Sequence, residues 1–138
     1  MKICIDAGHN NSGADTGAVG IGGIREQDIT FEIASHLNSA LSSAGIETVM
    51  TRRSAGENLG TSVSSSLKER VRISNDNGCD FFISIHCNSG PESARGTEVF
   101  VSARGGSAEA KGALVADAIS HNLSTVNRGV RVDTEYLG

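Results

Sequence analysis

Tryptophan is absent from this 138-residue chain, and aromatic residues of all kinds make up 4% of it. A surface that grips sugars by stacking has little to be built from, so contacts to any glycan are expected to be mainly polar. Cysteine is scarce as well. Cys4, Cys79 and Cys87 are an odd number without framework spacing, which excludes a disulfide scaffold and leaves buried thiols as the default. Cys87 follows His86 directly, so on a strand it points to the opposite face and is expected in the core. No apolar run approaches the ~20 residues that span a bilayer. No signal peptide is read at the N-terminus, where Met1 and Lys2 lead into a short apolar run that stops at Asp6. A basic stripe is also missing. The net charge is −4 and the basic residues are scattered, which argues against nucleic acid as a partner. What remains is a chain with 38% apolar residues, large enough for one domain over 1–138 with a real core, expected to act as a monomer.

The hydrophobic pattern alternates between strand and helix. A strand is expected at 2–6, a long loop at 7–24 and a helix from about 26 to 44, with Ile29, Ile33, Leu37, Ala40, Leu41 and Ala44 on its buried face. Gly45 is the expected stop, and 46–51 reads as a second strand. Residues 53–65, rich in Ser, Gly, Asn and Thr, read as loop. Ser66-Leu-Lys-Glu69 matches a capping box, so a second helix is expected from there to about Asn77, ended by Gly78. The run Phe81-Phe-Ile-Ser-Ile suits a strand at 80–86 covered on both faces. A fourth strand at 96–102 and a third helix at 108–124 follow. This alternation implies an α/β fold, a three-layer α/β/α sandwich around a mostly parallel twisted sheet.

In such sheets the carboxyl ends of the strands form one rim, where ligands collect. His9 and His86 each stand at the end of a strand-like run, and Glu26 opens the helix between them. Two imidazoles and one carboxylate make a zinc site with one open position. Each residue also has a plainer reading. Glu26 suits a helix N-terminus through the dipole, and His86 suits a satisfied buried histidine. Gly8 would let the backbone turn tightly beside a ligand. The glycines at 13, 17, 20, 22 and 23 raise a phosphate-cradling loop as a rival, but no Gly-Lys-Ser/Thr follows and the nucleotide reading is rejected. His36 and His121 lie on helix flanks and read as structural or solvent-facing.

Ile5-Asp-Ala-Gly-His9 resembles the opening signature of the zinc-dependent N-acetylmuramoyl-L-alanine amidases of bacterial cell-wall turnover and phage lysis. Glu26 stands where that family has its second metal ligand. Leu67-Lys-Glu-Arg70 with Asn75 is similar to its second-helix pattern. Phe82-Ile-Ser-Ile-His86-Cys-Asn88-Ser resembles the strand that ends in the third ligand, and Gly96-Thr-Glu-Val-Phe100 follows in family fashion. These motifs occur in order over nearly the whole chain.

The resemblance implies one Zn2+ ion on His9, Glu26 and His86, and hydrolysis of the amide between N-acetylmuramic acid and L-alanine in peptidoglycan. A zinc in such a site lowers the pKa of water to near ~7. It implies action on the cell wall by a secreted or phage-released protein. Asp6 and Asn88 are the nearest candidates in sequence to orient the imidazoles. The family's catalytic glutamate lies late, on a final strand before a closing helix. Residues 129–138 read as the run-up to that strand, so the final strand and helix are expected beyond residue 138. Glu135 precedes the expected strand, and nothing in its pattern assigns the role to Glu98. Two rivals stand beside this reading: a zinc peptidase acting on the stem peptide, and an inactive wall-binding zinc module.

Overall fold

The computed structural model of the protein describes residues 1–91 and 93–133. Glu135 and the rest of 134–138 lie outside the described residues. The elements are β1 (Lys2–Ala7), α1 (Glu26–Ser43), β2 (Glu47–Met50), α2 (Val63–Asp76), β3 (Phe81–Ile85), β4 (Thr97–Val101), α3 (Ser107–Asn122) and β5 (Asn127–Val132). The chain divides into two compact units, Met1–Ser89 and Gly90–Gly138.

In the first unit the strand order is β2-β1-β3, and both ladders are parallel. Side chains of β1 alternate between two faces. Ile3, Ile5 and Ala7 point to α1, where with Ala34 they form the buried core, flanked by Phe31, Leu37, Leu41, Ile83 and Ile85. Full burial of a side chain such as Ile5 contributes about 1.5–3 kcal/mol. Asp6, on the other face, meets α2 through Arg70. Helices therefore cover both faces of β1, and the expected α/β/α layering is realised here with every ladder parallel. Gly45 (φ 76°) ends α1, with the Ile46 amide returning to the Leu41 carbonyl.

Several local expectations are corrected. The buried positions of α1 are Glu26, Gln27, Thr30 and Ala34, whereas Ile33 is 46% exposed. The inner stripe begins polar because it covers backbone of the 7–9 segment before it reaches the apolar core. Helix α2 starts one turn earlier than the 66–69 pattern implied. Ser62 is its N-cap, and Ser62 and Ser65 form the reciprocal capping box. That shift leaves Ser66 free to point inward. On β3 only alternate residues are covered. Phe82 is 42% exposed, so the strand is not enclosed on both faces.

The second unit pairs β4 with β5 in parallel, with a register irregularity between Thr97 and Val99. Helix α3 packs against the pair through Gly112 and Ala116. Within this unit Glu98 lies 2.9 Å from Arg131 Nε. The Val-Arg-Val segment read as a run-up is itself strand, as Asn127–Val132.

Candidate metal centre

The order β2-β1-β3 makes the chain leave β1 for one neighbour and later return on its other side. Ligand crevices in open α/β sheets form at such a switch point, outside the strand carboxyl ends. Ala7 of β1 and Ile85 of β3 are register partners, so His9 and His86 leave the sheet side by side. Glu26 opens α1 at the same rim.

The three side chains converge. His9 Nε2 lies 3.1 Å from His86 Nδ1 and 3.2 Å from Glu26 Oε1, and His86 Nδ1 lies 3.3 Å from Glu26 Oε1. Zinc bonded tetrahedrally to nitrogen and oxygen at ~2.0–2.1 Å needs donors about 3.3–3.4 Å apart. The edges of 3.1–3.3 Å come within about 0.3 Å of that demand, so these residues could hold one metal ion. The imidazole rings stand edge to face, 84° apart, each aiming a different nitrogen inward. Burial is graded: the Glu26 side chain is 8% exposed and that of His86 46%, which keeps one side of the triangle open.

Each donor is held by its neighbours. Burial pushes the Glu26 carboxyl upward in pKa, but the amides of Cys87 (2.8 Å to Oε1) and Ala18 (3.0 Å to Oε2), with the two imidazoles, bring it below the usual range. Glu26 is thus ionised at neutral pH. The Glu26 amide in turn donates to the Ala18 carbonyl at 2.9 Å, closing the 7–25 loop over the helix start. The carbonyl of Gly8 accepts from Thr30 Oγ1 at 2.8 Å, and the buried Arg52 guanidinium bonds the carbonyls of Ala7 and Gln27. Arg52 therefore ties the segment carrying His9 to the first turn carrying Glu26. Sequence gave no sign of that role.

A family model for N-acetylmuramoyl-L-alanine amidase matches residues 3–137. The chain belongs to this family. Protein YqiI of Bacillus subtilis is 34% identical over 98% of the chain, and the amidase LytC of the same organism is 30% identical over 98%. The chain spans 62% of the first relative and 26% of the second. Among solved structures, the catalytic domain of the amidase CwlV from Paenibacillus polymyxa superposes with a TM-score of 0.78 at 29% identity, covering 99% of this chain and 72% of that one.

Within this amidase-family chain three expectations around the centre change. The left-handed turn falls on His9 (φ 65°), not on Gly8. Gly8 is needed for packing, because a Cβ there would lie 2.5 Å from His86 Cε1 and 2.6 Å from the Ile85 carbonyl oxygen. Asp6 does not orient an imidazole. Its carboxylate accepts from Thr51 (2.6 Å), Ser84 (2.6 Å) and Arg70 (2.7 Å), a buried structural knot beneath the rim. The carboxylate that reaches an imidazole is Asp15, whose Oδ1 lies 3.3 Å from His9 Nδ1. One sequence signal could have found it: Asp15 is the sole acidic residue of the 7–24 loop. Cys87 is exposed and lies past the end of β3, so it is no core residue, whereas Cys4 is buried. His36 and His121 are exposed, in line with a solvent-facing role.

Proposed function

We propose that His9 Nε2, Glu26 Oε1 and His86 Nδ1 hold one zinc ion and that the chain hydrolyses the amide joining the lactyl group of N-acetylmuramic acid to L-alanine in peptidoglycan. The observation that carries the reading is the donor triangle with edges of 3.1–3.3 Å. Family membership supplies the substrate class, and the relatives named as amidases support the bond. When bound, zinc supplies Lewis acidity for the scissile carbonyl and a nucleophilic water at neutral pH.

The protein's own contribution is positioning and charge. Glu26 brings a full negative charge to the centre because the backbone amides of Cys87 and Ala18 favour its ionised form. With two neutral imidazoles it leaves a net charge of about +1 at a divalent ion, enough to favour a developing oxyanion. The two amides donating to Glu26 also fix which oxygen faces inward. The exposed side of His86 is the approach for substrate. Few aromatic residues are available for stacking, so a glycan strand would be held by polar contacts. The protein acts as a monomer on the cell wall in this reading.

The test is release of new L-alanine amino termini from purified peptidoglycan by residues 1–138, with zinc added and with a chelator. Chelator-sensitive release that leaves muramic acid free of peptide is the outcome that supports the reading. New termini within the stem peptide instead would make the protein a peptidase. Wall binding without release, by zinc-loaded protein, would make it a binding module.

A further inference from the structure

Helix α2 turns Ser66, Arg70 and Ser74 inward and leaves Val63, Leu67 and Val71 more than half exposed. Apolar packing would arrange the same helix the other way round. Its buried stripe leads to the metal centre. The Arg70 guanidinium donates from Nε to Ser66 Oγ at 3.3 Å, Ser66 Oγ donates to Asp15 Oδ2 at 2.5 Å, and Asp15 Oδ1 faces His9 Nδ1 at 3.3 Å. We propose that Asp15, held by Ser66 and Arg70, is a positioning residue that fixes His9 as its Nδ1–H tautomer and so aims the Nε2 lone pair into the donor triangle before any metal arrives.

The direction of each bond follows from the groups. A guanidinium only donates, so Ser66 must accept from Arg70 and spend its single hydroxyl proton on Asp15. Both ring nitrogens of His9 face a carboxylate, but Glu26 Oε1 already accepts the Cys87 amide at 2.8 Å and stands 3.3 Å from His86 Nδ1, whereas Asp15 Oδ1 faces His9 alone, so the single proton of a neutral ring is assigned to Nδ1. A neutral imidazole with its proton there has its lone pair on Nε2, the atom that faces Glu26 and His86. The far end of the relay is fixed, because Arg70 is locked by Asp6 at 2.7 Å and the Ala7 carbonyl at 2.8 Å. Burial keeps water from competing: Ser66 is fully buried, Arg70 is 3% exposed and the Asp15 side chain 11%. The loop is fastened by Asn10 as well as by the Asp15 carboxylate. The Asn10 amide bonds the Asp15 carbonyl, and the buried Asn10 side chain bonds Ala14 and Leu59. The carboxylate divides its work: Oδ2 ties the loop to α2 through Ser66 and through Arg70 at 3.7 Å, and Oδ1 faces His9.

The inference rests on the proposed function only in naming the ion; the tautomer is a property of the metal-free protein. Two readouts test it on residues 1–138. Nitrogen-15 correlation spectra of the metal-free protein, taken above the imidazole titration, report which nitrogen of His9 carries the proton. Chelator competition gives the zinc Kd. The wild type is expected to show Nδ1–H at His9. Asp15→Ala is expected to shift it toward Nε2–H and to raise the zinc Kd about 10–100-fold, the usual cost of losing such an outer partner. Ser66→Ala should raise the Kd about 3–10-fold, as for one lost hydrogen bond. Asp15→Asn, which keeps an acceptor without the charge, should fall between wild type and Asp15→Ala. If Asp15→Ala does not fold, the Ser66→Ala and Asp15→Asn variants decide. Nε2–H at His9 in the wild type, or a zinc Kd within about twofold of wild type in these variants, would overturn the proposal. Wild-type protein with the Nδ1–H form but no zinc affinity would overturn the proposed metal centre instead.

Discussion

Replacing Gly8 by alanine tests whether the donor triangle depends on the close approach of two strands' ends. The added Cβ would lie 2.5 Å from His86 Cε1, 2.6 Å from His86 Nε2 and 2.6 Å from the Ile85 carbonyl oxygen. Carbon atoms in ordinary contact stand ~3.5 Å apart, so about 1 Å must be found. The Ile85 oxygen cannot retreat cheaply, because it accepts from the Gly8 amide at 3.1 Å and belongs to a strand in register with β1. Movement therefore falls mainly on the His86 ring, which carries the third donor. Metal sites tolerate departures of only about 0.2 Å in bond length. A displacement near 1 Å effectively removes one of three ligands, and a zinc Kd raised about 100-fold or more is expected, equal to ~2.8 kcal/mol. The metal-free protein should lose ~1–3 kcal/mol as an overpacked site. Chelator competition and urea unfolding without zinc measure the two effects separately. An alanine variant that binds zinc like wild type would show that His86 is not held against Gly8, and the account of the rim would be wrong.

Other expectations follow from the same contacts. Glu26→Gln keeps the shape of the side chain but removes the charge, so zinc affinity should fall by at least about 10-fold while the fold persists; unchanged affinity by competition would remove Glu26 from the ligand set. The wild-type carboxyl has a lowered folded pKa, so its stabilisation is present above the ordinary glutamate range and is lost as pH falls through and below it. Urea unfolding without zinc should therefore show a steeper acid decline for wild type than for Glu26→Gln. Arg70→Ala leaves Asp6 buried beside Thr51 and Ser84 without its cation, and a loss of ~3–5 kcal/mol in urea unfolding is expected; a loss below ~1 kcal/mol would refute the buried pair. Burial pushes the Cys4 thiol up to about 11, whereas Cys87 is exposed, so alkylation of folded protein at mildly alkaline pH should label Cys87 well before Cys4, as read by peptide mass spectrometry.

The parts of the centre that were legible in sequence are those fixed by topology. A histidine just past a strand reaches the rim whichever way the loops run, and parallel order brings two such histidines together. Gly45 and the alternation of elements were legible for the same reason, since each rests on local backbone chemistry. The support around the centre was not. Asp15 reaches His9 only because Asn10 folds the loop back on itself, and Ser66 meets Asp15 across 51 residues. The capping pattern at 66–69 misled because four serines lie between 62 and 66, and local spacing cannot say which of them is recruited inward. Arg52 carries no motif at all. Its role comes from three backbone carbonyls that no sequence pattern marks. The α1 face misled because Gln27 and Thr30 are buried against backbone and not against apolar side chains.

The spacing of the donors has a kinetic consequence. His86 follows Glu26 by 60 residues and His9 by 77, and they meet only when β3 docks beside β1. Closing so long a loop is among the slowest steps available to a small α/β unit. An unfolded or half-folded chain offers no preformed clasp, so zinc should have little to seize until the sheet is complete. A metal captured that late stabilises the native state without assisting the transition state. Its effect should appear in stopped-flow traces as slower unfolding, with the refolding rate nearly unchanged. Zinc would then serve as a latch closed from outside after folding, and the lifetime of the folded protein would follow the free metal concentration around it.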